Sequence, residues 1–164
     1  MANLTKKQRE AIYAKYNGHC AYCGKKIDYK DMQVDHLIPQ RRATYKAGRG
    51  RLPIEQVENF DNYMPSCRRD NHYKRAHNLE TFRRYIEEIP IKLANLYIAK
   101  VGGDYGLIQY YPRKIKFYFE MTSEEREQFD KENDFEERTV TLGKPTIELF
   151  PIEESDIVKA GEFF

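Results

Sequence analysis

Three groups of side chains in this sequence are of the right types and spacing to do chemistry. Cys20 and Cys23 frame a two-residue spacer, and Cys67 is followed by Asp70 at the same spacing. Two knuckles that each offer two donors are the usual way to build a tetrahedral zinc site. The fourth donor is Asp70, standing where a fourth cysteine would complete the pattern, or His72 two residues further on. Three cysteines are an odd number, and a Cys-x-x-Cys pair in a reducing compartment favours a metal ion over a disulfide. The second group is Asp35-His36. Histidine titrates near neutrality and can take a proton from water. A carboxylate beside it can hold a divalent cation that stabilises charge on a reacting oxygen. The third group is Asn62 and Asn71, two neutral amides able to serve as an orienting group and a metal ligand. Taken singly, the histidine and each asparagine would pass for a structural residue or a cap.

Short elements must position these groups. Thr5 caps a helix with Ile12, Tyr13 and Tyr16 on one face, which Asn17-Gly18 stops. A tight turn follows at Cys20–Gly24. Gln33–Ile38 reads as a short strand ended by Pro39, and Tyr63–Pro65 as a second. Between them, residues 39–61 form a long basic loop. A helix is expected from Cys67 or Arg68 to Arg75, carrying Asn71. Asn78 caps another with Leu79, Phe82, Tyr85, Ile86 and Ile89 along it. Pro90 then opens a helix from Ile91 to about Val101, ended by Gly102-Gly103. Residues 115–120 read as a strand, Thr122–Glu125 caps an acidic helix to about Asn133, and residues 139–142 and 146–150 form a hairpin.

The net charge of +2 hides an asymmetry. Residues 1–84 hold 18 Lys and Arg against 9 Asp and Glu, a balance of +9, whereas residues 85–164 hold 10 against 17, a balance of −7. The first half therefore suits a polyanion. With 40% hydrophobic and 33% charged residues the chain reads as globular, and no run approaches the ~18 apolar residues of a membrane span. The first residues lack the apolar stretch of a secretory signal, so an intracellular protein is expected.

The order Cys-x-x-Cys, Asp35-His36-Leu37-Ile38-Pro39, Asn62, then Cys67-x-x-Asp70-Asn71-x-x-Lys74 resembles the HNH endonuclease family, of phage or bacterial type. Its text reads C-x-x-C, D-H-x-x-P, N, then C-x-x-C-[HN]-x-x-K. The resemblance spans about Lys7 to Arg84. It implies an α+β fold: a ββα-metal core with a zinc-knuckle staple, flanking helices and a C-terminal α/β extension. It divides the chain into a nuclease core at 1–84, a packed helical and strand extension at 85–120 and an acidic extension at 121–164.

The implied activity is metal-dependent hydrolysis of DNA phosphodiesters. His36 would be the general base, Asp35 and Asn71 the ligands of a catalytic magnesium or manganese ion, and Asn62 the residue that orients loop and ring. Cys20, Cys23, Cys67 and Asp70 would hold structural zinc, with His72 as the alternative fourth ligand. Asn71 stands where many members carry histidine, and its hard amide oxygen turns the expectation toward magnesium. The family implies a bacterial or phage-infected cytoplasm. Arg68, Arg69, Lys74 and Arg75, beside the catalytic helix, are placed to reach phosphates, and Arg41, Arg42, Lys46, Arg49 and Arg51 to extend that contact. A non-catalytic zinc-knuckle DNA binder would lack Asp35 or His36, and both are present. The acidic half is a further candidate, either for homodimerisation or for a protein partner.

Overall fold

The computed structural model describes residues 4–44 and 52–133. Lys46, Arg49 and Arg51, and the hairpin expected within 139–150, lie outside the described residues. The described residues up to Lys131 form one compact unit.

Helix α1 (Lys6–Ala14) starts at a reciprocal cap. The Thr5 hydroxyl accepts the Gln8 N–H at 3.3 Å, and Gln8 Oε1 accepts the Thr5 N–H at 2.8 Å. Two of the helix's orphan donors are thereby satisfied. Ile12 is fully buried among Ile27, Met32 and Tyr63. The chain then turns through Asn17 and Gly18, both at positive φ, into a bridged loop where His19 pairs with Lys26. This loop is the Cys20–Cys23 knuckle. Its Gly24 has φ +73°, and a Cβ there would stand 2.5 Å from the Phe129 ring and 2.8 Å from that of Tyr118. Glycine alone meets both demands.

Strand β1 (Gln33–His36) leads through helices α2 (Arg41–Thr44) and α3 (Ile54–Val57) and a 3₁₀ turn at Phe60–Asn62 to strand β2 (Tyr63–Ser66) and helix α4 (Arg68–Lys74). The strands are antiparallel, with Asp35 opposite Met64 and His36 opposite Tyr63. The described part of the basic segment is thus not the continuous loop expected. A proline precedes each short helix, and its carbonyl accepts a turn-forming N–H: Arg42 to Pro39 at 2.9 Å, Gln56 to Pro53 at 3.1 Å. All four β2 residues are buried. Pro65 lacks an N–H, and its carbonyl accepts the Ala21 N–H of the knuckle at 2.8 Å.

Helix α5 (Leu79–Glu87) is capped by Asn78, whose Oδ1 accepts the Thr81 N–H at 2.8 Å. Its Phe82 is fully buried with Cys20, Ala21, Tyr22, Met64 and Phe117. Where one helix was expected between Ile91 and Val101, two form: α6 (Ile89–Ala94) and α7 (Tyr97–Asp104). Gly102 and Gly103 do not end α7 but lie within it. Gly102 makes room for Ile108, whose Cδ1 would be 2.6 Å from a Cβ, and the chain turns instead at Gly106 with φ +71°. These helices and the following turn expose Ile91, Leu96, Tyr97, Ile98, Tyr105 and Leu107.

Residues 115–120 are not a strand. Tyr118–Glu120 form a 3₁₀ turn closed by Glu120, whose Oε2 accepts the Phe117 N–H at 2.9 Å. The alternation of Ile115, Phe117 and Phe119 is real, but the partner is the knuckle: Tyr118 and Phe119 N–H groups donate to Tyr22 and Ala21 carbonyls at 3.0 and 2.9 Å. Arg83 clamps this segment to α5. Its guanidinium makes a bidentate contact with Glu120 at 2.6 and 3.0 Å, reaches the Ile115 carbonyl at 2.6 Å, and lies 4.6 Å over the Phe117 ring. Helix α8 (Ser123–Glu132) carries the acidic residues and begins at the expected cap, with Thr122 and Glu125 exchanging hydrogen bonds. It rests on the knuckle side through Phe129, 5.7 Å from the Tyr118 ring, and Asp130, which accepts from the Tyr118 hydroxyl at 3.0 Å. Among the described residues no helix is long and apolar enough to cross a membrane.

Candidate metal centre and candidate active site

The two knuckles meet. The knuckle loop packs on β2, and α4 starts directly after it, so Cys67 becomes the N-cap of α4 and Asp70 lies in its first turn. One ligand atom from each of Cys20, Cys23, Cys67 and Asp70 lies within 4.8 Å of the others. Cys20 Sγ is 3.2 Å from Asp70 Oδ2 and Cys23 Sγ is 4.0 Å from Cys67 Sγ. Thiolates at ~2.3 Å from a tetrahedral ion stand about 3.8 Å apart, so the set fits a metal. Of the two candidates for the fourth donor, Asp70 belongs to the cluster; His72 is exposed and outside it. The protons are unevenly shared. Hydrogen bonds from the Cys20 and Cys23 thiols pull Cys67 down to about 2, contacts with Cys20 and Cys67 push Cys23 up, and burial raises Asp70. A bound cation would relieve that crowding by favouring all four anions at once.

Asp35 and His36 end β1, where α4 crosses it. Asp35 is 6% exposed, and both of its hydrogen-bond donors engage the same oxygen, Oδ2. One is the Tyr22 hydroxyl. Burial, and then the adjacent Asp35 charge, push that hydroxyl well above its ordinary value, which keeps it a donor. The other is Lys74 Nζ at 2.8 Å, which also donates to the His36 carbonyl at 2.7 Å. Among the described residues Oδ1 of Asp35 takes no hydrogen bond, and neither does the Asn71 side chain, one turn before Lys74 on α4. The expectation that Lys74 reaches outward to phosphates is corrected. Its side chain is fully buried, because a cation pointing inward is the partner that Asp35 requires at this depth.

Asn62 is also buried, at 5% exposure. Its Nδ2 donates to the Ile38 and Val57 carbonyls at 3.0 and 2.7 Å, and its Oδ1 accepts the Ile38 N–H at 2.7 Å. The Leu37 N–H donates to the Asn62 carbonyl at 2.9 Å. The side chain thus spans the segment just after His36 and the end of α3.

Sequence reasoning missed Glu58. It ends α3, and its Oε1 lies 3.3 Å from His36 Nε2. Gln40 Nε2 donates to Oε1 at 2.6 Å and the Tyr63 hydroxyl to Oε2 at 2.8 Å. Burial works to raise this carboxyl, but hydrogen bonds from Tyr63 and Gln40, together with the nearby His36 imidazole, outweigh it, so Glu58 ionises below its ordinary range. The Tyr63 ring also meets the His36 ring edge-on at 5.1 Å. A lone glutamate in a segment read as loop carries no local mark of burial, and Tyr22, read only as a knuckle spacer, carries none either. Of the basic side chains, Arg41, Arg42, Arg68, Arg69 and Arg75 are exposed.

Residues 20–77 match the family model of the HNH endonucleases. No curated protein matches the chain. A solved structure, that of the Type II-C Cas9 enzyme from Actinomyces naeslundii, aligns over 80% of this chain at 19% identity with a TM-score of 0.38. That superposition is too loose to inform the fold, and the chain spans only 13% of that protein's length. The family match falls on the segment that unites the cysteine knuckles, β1, β2 and α4, and this chain carries an HNH endonuclease domain over residues 20–77.

Proposed function

We propose that this chain hydrolyses phosphodiester bonds in DNA with the help of a divalent cation. The observation behind the reading is the junction of β1 with α4. Through one ammonium group, Lys74 ties down both the Asp35 carboxylate and the backbone of His36. In this reading His36 accepts the proton of a water as its oxygen bonds to phosphorus, and the bond to the leaving oxygen breaks on the opposite side. Asp35 and Asn71 would hold magnesium or manganese, which supplies charge stabilisation at the phosphate and leaving oxygen. Among the described residues neither Asp35 Oδ1 nor the Asn71 side chain takes a hydrogen bond, and both offer oxygen donors of the hard type those ions take. Asn62 fixes the segment that carries His36. Cys20, Cys23, Cys67 and Asp70 would hold zinc as the staple between knuckle and α4. Arg41, Arg42, Arg68, Arg69 and Arg75 would meet the DNA backbone.

The test is nicking of supercoiled plasmid with magnesium, with manganese and with chelator, alongside His36→Ala. Cleavage should need the ion, and the variant should lose at least ~10²-fold in rate while still binding DNA. A variant that cuts at the wild-type rate would remove His36 from its role.

A further inference from the structure

The two ring nitrogens of His36 differ in surroundings. Nε2 is buried and makes no well-aligned hydrogen bond, yet Glu58 Oε1 stands 3.3 Å from it. Nδ1 has no partner among the described residues, and the side chain retains 17% exposure. Glu58 is itself held from two sides, by Gln40 and by Tyr63. Its charge is thus aimed at one edge of the ring while the other edge stays open. The nitrogen that carries the proton on a neutral imidazole is decided by what the other nitrogen bonds. Loose contacts of this kind in a free enzyme tighten when substrate arrives.

We infer that Glu58 is a positioning residue for His36: its carboxylate accepts the Nε2–H, fixes ring and tautomer, and leaves the Nδ1 lone pair to take the proton from water. This rests on the reading of His36 as the base. The water's proton ends on Nδ1, the Nε2–H stays on the ring, and the imidazolium that results lies against a carboxylate already ionised. Asn62 contributes from the backbone side, and Tyr63 acts twice, through its hydroxyl on Glu58 and through the T-shaped contact of its ring with the imidazole.

Single-turnover cleavage by Glu58→Ala and by Glu58→Gln tests this, with DNA affinity, knuckle-metal content and magnesium half-saturation measured in parallel. Glu58→Ala should lower the cleavage rate ~10–100-fold, the usual effect of losing a partner that orients an active histidine. The other three quantities should stay at wild-type values. Glu58→Gln keeps an oxygen able to accept the Nε2–H and should recover part of the loss. In a His36→Ala background, removing Glu58 should change nothing further, because the two residues act as one unit. Nitrogen NMR of the ring gives a reading independent of turnover: the neutral His36 should be the Nε2–H tautomer in the wild type and a mixture in Glu58→Gln, which preserves shape if the alanine variant fails to fold. Wild-type cleavage by Glu58→Ala, an equal loss in both backgrounds, or an unchanged tautomer would overturn the inference. Wild-type cleavage by His36→Ala would instead overturn the reading of the base, and the inference with it.

Discussion

Replacing Lys74 by methionine removes a positive charge from the interior while nearly keeping its volume. Lys74 Nζ lies 2.8 Å from Asp35 Oδ2, and the two side chains are 0% and 7% exposed. At that separation and an effective dielectric of about 20, the direct attraction is about 6 kcal/mol. Much of it is offset by the desolvation of both ions, so the observable quantity is the cost of leaving one ion alone, about 3–5 kcal/mol for a buried pair. The upper part of that range is expected, because the His36 carbonyl also loses a donor. A domain of this size has about 5–15 kcal/mol in all, so the variant should be folded but marginal. Urea unfolding of the knuckle-metal-loaded protein without magnesium would measure it, for Lys74→Met, Asp35→Asn and the double variant. The double variant should be more stable than the sum of the single losses implies, with a coupling of about 3 kcal/mol, near the top of the range for contacting residues. Additive losses would show that the two charges do not depend on one another and would refute the argument.

Removing the knuckle metal by chelation, or one ligand by Asp70→Ala, should lower the unfolding midpoint sharply; elemental analysis should find one ion per native chain and none after chelation. Asn62→Ala should lose about 2–4 kcal/mol in thermal unfolding, since three backbone groups, one buried and two part-buried, each lose a partner, while His72→Ala should leave both metal content and stability unchanged. Arg83 holds Glu120 ionised below its ordinary range against the opposing effect of burial. A carboxyl depressed in the folded state stabilises above its unfolded value near ~4.3 and loses that contribution as pH falls through the folded value. Glu120→Gln should therefore be less stable than wild type at neutral pH and show a smaller further loss when titrated to about pH 3.

The parts of this molecule that could be read from sequence are those set by neighbours in the chain. The Thr5 and Asn78 caps, the turn at Gly24 and the start of α4 at Cys67 follow from local chemistry, and they are where the sequence puts them. So are Asp35 and His36 at the end of β1. What could not be read depends on residues far apart. Lys74 looks like any lysine on a helix until β1 is laid against it. Glu58 becomes a neighbour of His36 only after α3 returns to the sheet. Residues 115–120 alternate as a strand does, but the backbone groups available to them belong to the knuckle turn. The glycines at 102 and 103 look like a helix stop because their role as a seat for Ile108 depends on a side chain beyond the helix.

The bond from Ala21 to the Pro65 carbonyl has a further effect on how this protein behaves in bulk. A sheet of two strands has two open margins, and open margins recruit strands from other molecules. On β2, Pro65 withholds a donor, and the knuckle loop occupies its carbonyl. The loop held by the cysteines therefore also shields a sticky seam. Stripping the metal should free that seam along with the hydrophobic cluster beneath it, so the apo-protein is expected to self-associate in proportion to its concentration. Restoring the ion before assembly begins should return it to monodisperse solution, whereas adding it afterwards should not.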